Sequence, residues 1–564
     1  MRSAAITRGF AALALLGAAP AFGCNGVIGS GGDSGGGTVN DRVAAELCVV
    51  DTPIRRMTRF EYNNTVRDLL GDNTNPADVL PPEEEVAGFD NQAGALTTSD
   101  LLVEQYVSVA EDVSARAIGN MNALLDGCDP ASQGSDACAL SFIERWGQRA
   151  YRRPLEQEEI GRLKGVFDWA ASDPDLGTFE DGIQVVIEVV LQSPSFLYRP
   201  EYGSDTPVEG DVVPFTSWEM ATKLSYMLWN TMPDDELFQA AANDALLTRE
   251  QVAAQAARML ESDRAKDTIR NFHKQWLLLT QLENVTKDTS VYPVFDSSLR
   301  PLWEQEIQTF IEHVILEGDG TLETLFAADY SFMNEELANF YGDDVVEQVT
   351  GTEFRQVQLD PARRAGFLTS AAVMATHANV NQSSPVFRGK FVREQLMCNT
   401  LPLPPNDIVI EPPQLDPNKT TKEQFEEIGA DPNCASCHSL MNPIGFIFEH
   451  YDGVGQWRDQ QNGKNIDAVG EVVQTDDIDG TYDGAIELAQ ALAKSTQVQE
   501  CVSSQWFRFA YNRSVTQVDS CSIEQLNERF AASNFNFREL LVALTQTNAF
   551  LYRRAVVADQ GGTQ

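Results

Sequence analysis

Two distant segments of the chain repeat one pattern of aromatic and aliphatic residues, and this repeat limits the possible folds more than any other feature. In each copy a Trp-x4-Tyr pair precedes three apolar residues at helical spacing, and each copy ends in Phe-Leu-Tyr-Arg. The matching residues are Trp146, Tyr151, Ile160, Leu163, Phe167 and 196–199 in the first copy, and Trp506, Tyr511, Ile523, Leu526, Phe530 and 550–553 in the second. Apolar residues three and four positions apart line one face of a helix. The repeat therefore predicts two related three-helix modules, at about 140–200 and 498–555.

Helical signals dominate the rest of the chain as well. Thr58-Arg59-Phe60-Glu61 is a capping box, in which the Thr and the Glu satisfy free backbone groups at the start of a helix. It predicts a helix from Arg59 to Leu70 that ends at Gly71. Short strands are expected at most at 212–215, where Pro214 weakens the pattern, and at 354–359. We therefore predict a mainly α, multi-module helical protein.

The N-terminal residues resemble an export signal. Arg2 and Arg8 precede an apolar stretch at 10–19, which is too short for a comfortable membrane span. Ala21-Phe22-Gly23-Cys24 resembles the site at which bacterial lipoproteins are cleaved and lipidated, and the Gly- and Ser-rich segment 26–37 is typical of a flexible tether. We expect lipidation of Cys24 and a periplasmic or outer-membrane location. An ordinary signal peptide that releases a soluble protein is the alternative.

The charge of the chain restricts its partners. There are 83 acidic and 41 basic residues, which gives a formal charge of −42. This charge repels phosphate groups, so nucleic acid and anionic lipid surfaces are excluded as partners, and the only expected membrane contact is the lipid anchor. We interpret the charge as a solubilising surface, with steering of a cationic partner as the alternative.

Cys434-Ala435-Ser436-Cys437-His438 has the spacing of a c-type haem attachment site. The two cysteines can bond the vinyl groups along one porphyrin edge, and the His can supply an axial nitrogen to iron. A thioredoxin-type redox pair and half of a zinc site share the Cys spacing, but the strand-to-helix context and further zinc ligands are missing. We predict one covalent haem c, with the carbonyl of Pro443 accepting the other imidazole N–H.

The remaining cysteines are expected to form disulfides. The chain has nine cysteines, and one lipidated cysteine with two haem thioethers leaves six. Disulfides are expected in the oxidising compartment where c-type haem is attached. The pairs we expect are Cys128 with Cys138, Cys501 with Cys521, and Cys48 with Cys398.

The sixth iron ligand is left open by the sequence. No Met follows Met441, so a distal Met far downstream is excluded. His377 is the preferred distal ligand or distal-pocket residue. The alternatives are an open coordination position, His450, Met374 and Met397. His273 and His313 lie in amphipathic helical patterns, where a structural His is expected.

Several side chains near the motif are candidate partners of the haem propionates. They are Arg388, Lys390, Arg393, Trp457 and Arg458. Arg in particular forms charge-assisted hydrogen bonds with carboxylates. Ordinary surface pairing in so acidic a chain is an equal alternative.

Residues on both sides of the motif carry a resemblance to a known family. The segments that carry it are 441–446 (MNPIGF), 449–458 (EHYDGVGQWR), 59–70 (RFEYNNTVRDLL), 150–155 (AYRRPL), 193–199 (SPSFLYR) and 384–390 (SPVFRGK). With the Cys-x-x-Cys-His motif they resemble the planctomycete-type multidomain cytochromes, whose modules are catalogued largely as domains of unknown function. The resemblance implies an order of modules and a cytochrome-c-like haem module, but no established substrate.

These signals together predict the division of the chain. The predicted parts are a signal peptide at 1–23, a tether at 24–45, an N-terminal helical module at 46–135, a three-helix module at 136–200, a central helical module at 201–350, a haem c module at 351–475 and a C-terminal module related to 136–200 at 476–558.

Three functions are compatible with the sequence. The favoured one is electron transfer in the cell envelope with an unidentified redox partner. A haem enzyme outside the cytoplasm, of the peroxidase or oxygenase kind, is the second. A substrate- or polysaccharide-binding envelope protein with an accessory haem is the third. The distal ligand separates the first two, because an enzyme of this kind requires an open coordination position.

Overall fold

A computed structural model describes residues 44, 46–402, 416–430 and 435–555. Helices account for 57% of it and strands for 8%, and the strands form only short antiparallel pairs, so the mainly α prediction is confirmed. Cys24, Cys434 and the predicted signal peptide lie outside the described residues. Within the described ranges, no helix is both long enough and apolar enough to cross a bilayer.

The N-terminal part is a helical bundle around its own hydrophobic core. Its helices are α1 (Arg59–Leu70), α2 (Asp100–Ala117), α3 (Met121–Leu125), α4 (Pro130–Gln133), α5 (Ser135–Tyr151), α6 (Gln157–Ser172), α7 (Phe179–Leu191) and α8 (Pro194–Leu197). Helix α1 has the predicted bounds. Thr58 and Glu61 form its capping box, and Gly71 ends it in the left-handed region at φ 73°.

A second, larger core runs through the middle and the C-terminal part of the chain. The middle helices are α9 (Ser217–Leu228), α10 (Asp235–Ala242), α11 (Arg249–Leu260), α12 (Ala265–Trp276), α13 (Leu299–Glu312), α14 (Leu322–Ala327), α15 (Glu335–Tyr341), α16 (Asp343–Val346) and α17 (Ala371–Thr376). The later helices are α18 (Pro385–Phe391), α19 (Thr421–Gly429), α20 (Ala435–Phe446), α21 (Ala485–Lys494), α22 (Thr496–Tyr511), α23 (Ser520–Ala532), α24 (Phe537–Leu544) and α25 (Asn548–Leu551).

The strands are short, and each pairs with one other strand. They are β1 (Arg55–Arg56), β2 (Tyr198–Arg199), β3 (Val212–Pro214), β4 (Tyr330–Met333), β5 (Arg355–Gln358), β6 (Gln460–Gln461), β7 (Lys464–Asn465), β8 (Val469–Val472), β9 (Gly480–Asp483) and β10 (Tyr552–Arg554). The pairs β4–β5, β6–β7 and β8–β9 are local, whereas β1–β2 and β3–β10 join residues that are distant in the chain.

The two distant strand pairs extend the repeat beyond its helices. Strand β2 follows α8 and pairs with β1, and β10 follows α25 and pairs with β3 in the same antiparallel way. Strand β1 is followed by α1, whose capping box is Thr58 and Glu61. Strand β3 is followed in the same way by α9, whose capping box is Thr216 and Glu219. Each copy is therefore a strand and a helix from one part of the chain, closed by three longer helices, a fourth helix of four residues and a strand from a later part.

Three disulfides join described cysteines, namely Cys128–Cys138, Cys398–Cys501 and Cys48–Cys521. The expected bridges Cys501–Cys521 and Cys48–Cys398 are therefore wrong. A disulfide needs Cα atoms within about 7 Å. Cys501 lies roughly 15 Å along α22 from its C-terminal end at 1.5 Å per residue, whereas Cys521 follows that end. Cys398 follows the π-helical turn Val392–Leu396, which packs on α22 and brings it to Cys501.

Candidate cofactor site

The described part of the Cys-x-x-Cys-His motif lies at the start of α20. Cys437 and His438 are both half-buried, and Cys437 is not in a disulfide. The Cys437 thiol lies 3.6 Å from the Pro402 carbonyl oxygen. The thiol and the imidazole are thus adjacent on the first turns of one helix, which is the order that the motif requires.

A hydrogen bond fixes the ring of His438. Its Nδ1 lies 3.1 Å from Oδ1 of Asn442, one helical turn further on. The Asn442 amide nitrogen donates to the Phe425 carbonyl at 3.2 Å, so its oxygen is the atom that faces the ring. A carbonyl oxygen only accepts, and Nδ1 must therefore carry the proton. This tautomer leaves Nε2 as the nitrogen that can bind a metal.

The acceptor of this bond was predicted at the wrong residue. The sequence pointed to the Pro443 carbonyl, whereas the structure has the Asn442 side chain in that role. Pro443 is inside α20, and its carbonyl oxygen packs against Gly470 of β8, where a Cβ would overlap it. The Pro443 carbonyl is therefore turned towards β8, although Pro443 does line the groove beside the ring.

His438 lines a groove of about 510 Å³. The size falls in the range of small-molecule and cofactor sites, which is roughly 300–1,000 Å³. Its wall combines aromatic and aliphatic side chains with a few charged ones. The lining residues are Lys422, Phe425, Glu426, Gly429, Ala430, His438, Ser439, Asn442, Pro443, Phe446, Val469, Gly470, Glu471 and Thr481.

Three elements form this wall around α20. Helix α19 supplies Phe425, and the hairpin β8–β9 supplies Val469 and Thr481. Position 475, the predicted end of the haem c module, lies between β8 and β9. Side chains from both sides of that predicted boundary therefore line the groove. Lys422 is held by Asp467 at 2.6 Å and by the Val469 carbonyl at 2.8 Å, which ties α19 to the hairpin.

Two glycines allow α18 to cross α20 at close range. A Cβ on Gly389 of α18 would overlap the Met441 carbonyl, and a Cβ on Gly445 of α20 would overlap the Pro385 carbonyl. Each helix therefore places a glycine against the backbone of the other. This crossing fixes α20 from behind while its His438 side lines the groove.

The basic residues of α18 and of the turn after it do not reach the groove. Arg388 is 1% exposed, and its guanidinium donates to four backbone carbonyls. These belong to Phe448 at 3.0 Å, Tyr451 at 2.7 Å, Asp452 at 2.6 Å and Met374 at 3.3 Å. Arg393 is also buried and donates to the Leu440 carbonyl at 3.1 Å. Lys390 is exposed beside Glu394. The interpretation of these three as propionate partners is not supported, because backbone carbonyls and a surface acid already engage them.

Arg458 and Trp457 are also placed elsewhere. Arg458 pairs with the buried carboxylate of Glu449 at 2.8 Å and donates to the Ser383 hydroxyl at 3.1 Å. Trp457 stacks on His450 with ring centroids 4.4 Å apart. Neither residue lines the groove. Arg458 is engaged in an internal ion pair and Trp457 in an aromatic stack, so neither is placed to contact a cofactor there.

The candidate distal ligands lie outside the groove. His377 is 6% exposed, stacks on Phe391 at 4.3 Å, and donates from Nε2 to the Leu277 carbonyl at 3.3 Å. Burial lowers the pKa of His377 to about 4.

The other candidate ligands also lie outside the groove. His450 donates from Nδ1 to the Arg458 carbonyl at 2.9 Å. Met374 and Met397 are buried in the larger core. Among the groove residues that the structure describes, His438 is the only His, and no Met is present.

The other two histidines are structural, as expected. His273 is 2% exposed, bonds the Ile269 carbonyl at 2.8 Å, and has a pKa lowered to about 4 by burial. His313 lies 3.0 Å from the Glu317 carboxylate on the same helical turn.

Asn442 and Phe425 are the site residues that the sequence did not single out. Asn442 lies four positions after His438, and that spacing alone would have placed both on one helix face. Phe425 lies in α19, and Thr420 and Glu423 form a capping box that signals the start of this helix.

Five family models match the chain in consecutive order. The matches are protein of unknown function DUF1587 at 55–119, DUF1595 at 138–201, DUF1592 at 215–342, DUF1588 at 364–461 and DUF1585 at 479–550. The DUF1588 model bears the short name PSCyt3, and its match includes the motif and helices α18 to α20. No curated protein and no solved structure matches the chain. The five matches together show that the chain belongs to the planctomycete-type multidomain cytochrome family.

Proposed function

We propose that the protein is an exported c-type cytochrome that holds one covalent haem c beside His438 and transfers electrons in the cell envelope. The observation that carries the proposal is the fixed tautomer of His438. Its Nδ1–H is bound to Asn442, so Nε2 is available at a groove of about 510 Å³. The cytochrome name of the family model over this segment supports the same conclusion.

The residues of the groove fit a haem group in their chemistry. Cys434 and Cys437 would form the thioethers, and Nε2 of His438 would bind iron. Phe425 and Phe446 supply apolar surface of the kind that porphyrins prefer. A bound haem supplies a one-electron redox couple. The protein holds the axial ring in position through Asn442 and covers part of the site with α19 and the β8–β9 hairpin.

The proposed location rests on the cysteines and on the N-terminal sequence. Three disulfides among the described residues suit an oxidising compartment outside the cytoplasm. We propose that Cys24 is lipidated and anchors the protein at the periplasmic face or the outer membrane. The redox partner is then a protein of the same compartment.

The test is to express the full chain in a host that attaches c-type haem and to record spectra of the oxidised and reduced protein, with and without CO. We expect a haem that stays with the polypeptide after denaturation and is lost in Cys437→Ala. His313→Ala, which changes a His outside the groove, should keep the haem. Absence of covalent haem in the wild-type protein would contradict the proposal. Ready CO binding would contradict the electron-transfer role and favour a haem enzyme instead.

A further inference from the structure

A small cavity lies between the two copies of the repeat, away from His438. Its volume is about 40 Å³. Strands β1 and β2 contribute Arg55 and Arg199, α9 contributes Lys223, and the end of α22 contributes Tyr511 and Asn512. A single water needs roughly 10–15 Å³ of such space, so the cavity has room for a small ion and its water.

The ion pairs around this cavity leave positive charge uncompensated. One carboxylate oxygen, Oε1 of Glu61, is shared by the guanidinium groups of Arg55 and Arg199. Lys223 is paired at 3.0 Å with Glu201, which also lines the cavity, so these two charges cancel. Two guanidinium groups on a single carboxylate therefore leave an excess of about one positive charge.

A fourth cation lies near Arg199, behind the residues that line the cavity. Arg152 is 3% exposed and donates to the carbonyls of Ser195, Phe196 and Tyr198 at 2.9, 2.9 and 3.0 Å. Carbonyl oxygens satisfy its N–H groups but do not neutralise its charge. The charge is unusual in its setting, since the whole chain has a formal charge of −42.

Two arginines that line the cavity each have a buried donor without a partner among the described residues. The donors are the Nε–H groups of Arg55 and Arg199, and each of these arginines is 8% exposed. Burying a charged donor without an acceptor costs free energy, and an anion would supply that acceptor.

One further acid lies near Arg55. Asp90 is buried, and burial together with Glu83 raises the pKa of Asp90 to about 7. Its Oδ1 has no hydrogen-bond partner, and no ion pair within the described ranges joins it to either guanidinium. Asp90 therefore does not take the place of an anion in the cavity.

We propose that this cavity binds a small monovalent anion of the size of chloride, which neutralises the excess charge and joins the two copies of the repeat. The site is independent of the proposed haem. Its contacts would come from β1 and β2 on one side and from α9 and the end of α22 on the other. A larger anion fits less well, because the volume is small.

The experiment compares the thermal midpoint of the full-length protein in sodium chloride and in sodium gluconate at equal ionic strength, and locates bromide by anomalous scattering in soaked crystals. We expect a saturable rise of the midpoint that is specific to chloride, and a bromide peak in the cavity. Lys223→Met should raise the chloride concentration that gives half of the midpoint rise about tenfold, because it removes a cation from the cavity and leaves the Glu201 carboxylate there without its partner.

Asn512→Asp is a second variant, which adds a negative charge at the cavity. Asn512 has φ 57°, a conformation that Asp also tolerates. Its Oδ1 accepts from Arg55, which Asp keeps, and its Nδ2 donates to the Phe509 carbonyl at 2.7 Å, which Asp loses. A carboxylate at this position replaces the anion, so the melting temperature of N512D should not respond to chloride. The matched control is Asn534→Asp, which has the same φ of 57° at an exposed site and should respond like the wild type.

Three results would each overturn the proposal. The first is the absence of bromide from the cavity in wild-type crystals. The second is a wild-type midpoint that is equal in chloride and gluconate, and the third is a chloride response that N512D retains. The haem content of the samples does not enter any of these results, so the haem proposal and this one can fail separately.

Discussion

Asn442 joins two elements through one side chain, because its oxygen accepts from His438 and its nitrogen donates to Phe425 of α19. Hydrogen bonding at the second ring nitrogen raises the basicity of a metal-bound His. In the haem-loaded protein, Asn442→Leu should therefore raise the reduction potential, because a less basic ring stabilises the oxidised iron less. Asn442→Asp should lower it. N442L should also cost about 1–3 kcal/mol of unfolding free energy, since it leaves buried groups unpaired.

Redox titration of both variants measures the prediction, and N465L is the control because Asn465 is exposed on β7. A merely structural role for Asn442 would shift both variants in the same direction. Opposite shifts in N442L and N442D are the result that supports a positioning role.

Predictions of single residues failed where the chemistry depends on burial, which a local motif does not report. Cys437 and His438 are defined by a five-residue motif. Arg388 and Arg458 were chosen for their charge, but their hydrogen-bond partners come from residues 448–452 and from Ser383, whose proximity depends on the tertiary fold. His377 failed for the same reason, since its partner is the carbonyl of Leu277.

At the scale of elements, the crossing of α18 and α20 depends on Gly389 and Gly445. Gly445→Ala places a methyl group against the Pro385 carbonyl and should separate the helices. We expect a loss of about 1–3 kcal/mol of stability, typical of overpacking, and a lower yield of haem-loaded protein. Denaturant unfolding and the haem absorbance per chain measure the two effects.

Gly165→Ala is the matched control for this crossing. Gly165 lies inside α6, and a Cβ there has no heavy atom within 4 Å. Ala should stabilise this helix by about 0.5–1 kcal/mol. Equal effects of the two substitutions would show that the close crossing of α18 and α20 is not what G445A disturbs.

The buried acid Glu306 connects α13 to β4 and α15 and should make the stability of the protein depend on pH. Glu306 of α13 is 2% exposed, accepts from Ser331 of β4 at 2.9 Å and from Tyr341 of α15 at 2.7 Å. Burial raises the pKa of Glu306 from 4.5 to about 7. The folded protein thus keeps a proton that the unfolded chain releases, so this contribution is complete below about pH 4.5 and is lost as the pH rises through about 7.

Glu306→Gln tests that dependence because Gln stays neutral at every pH. Between about pH 5 and 8 the stability of E306Q relative to the wild type should rise by on the order of 3 kcal/mol. Glu304→Gln is the control, since Glu304 is on the same helix but partly exposed beside Lys274. A constant difference between wild type and E306Q across this range would contradict the assigned pKa.

Elements were predictable where a local signal exists. The capping box predicts the start of α1 and Gly71 predicts its end, and the weak alternation at 212–215 and 354–359 corresponds to β3 and β5. Strands β1 and β2 have two residues each, which is too short for any periodicity, and they form because distant segments meet. No sequence pattern within 55–56 or 198–199 predicts that these two strands pair.

At the scale of the whole molecule, the repeat was visible in the sequence, but the way in which its parts are joined was not. The aromatic pattern located the three-helix part of each copy. The strand and capped helix that complete each copy come from earlier in the chain, at 55–70 and 212–228. The same long-range contacts determine which cysteines meet, so two disulfides were paired wrongly.

The disulfides should therefore differ in how much they stabilise the molecule. Cys398–Cys501 spans 103 residues and links the segment beside α18 to α22, whereas Cys128–Cys138 spans 10 residues within the N-terminal part. A bridge restricts the unfolded chain more when its loop is longer, so replacing both cysteines of the long bridge by Ser should cost about 2 kcal/mol more than replacing those of the short one. Denaturant unfolding of the two double variants measures this difference. Equal losses would mean that native packing around the cysteines, and not the entropy of the unfolded chain, determines their contribution.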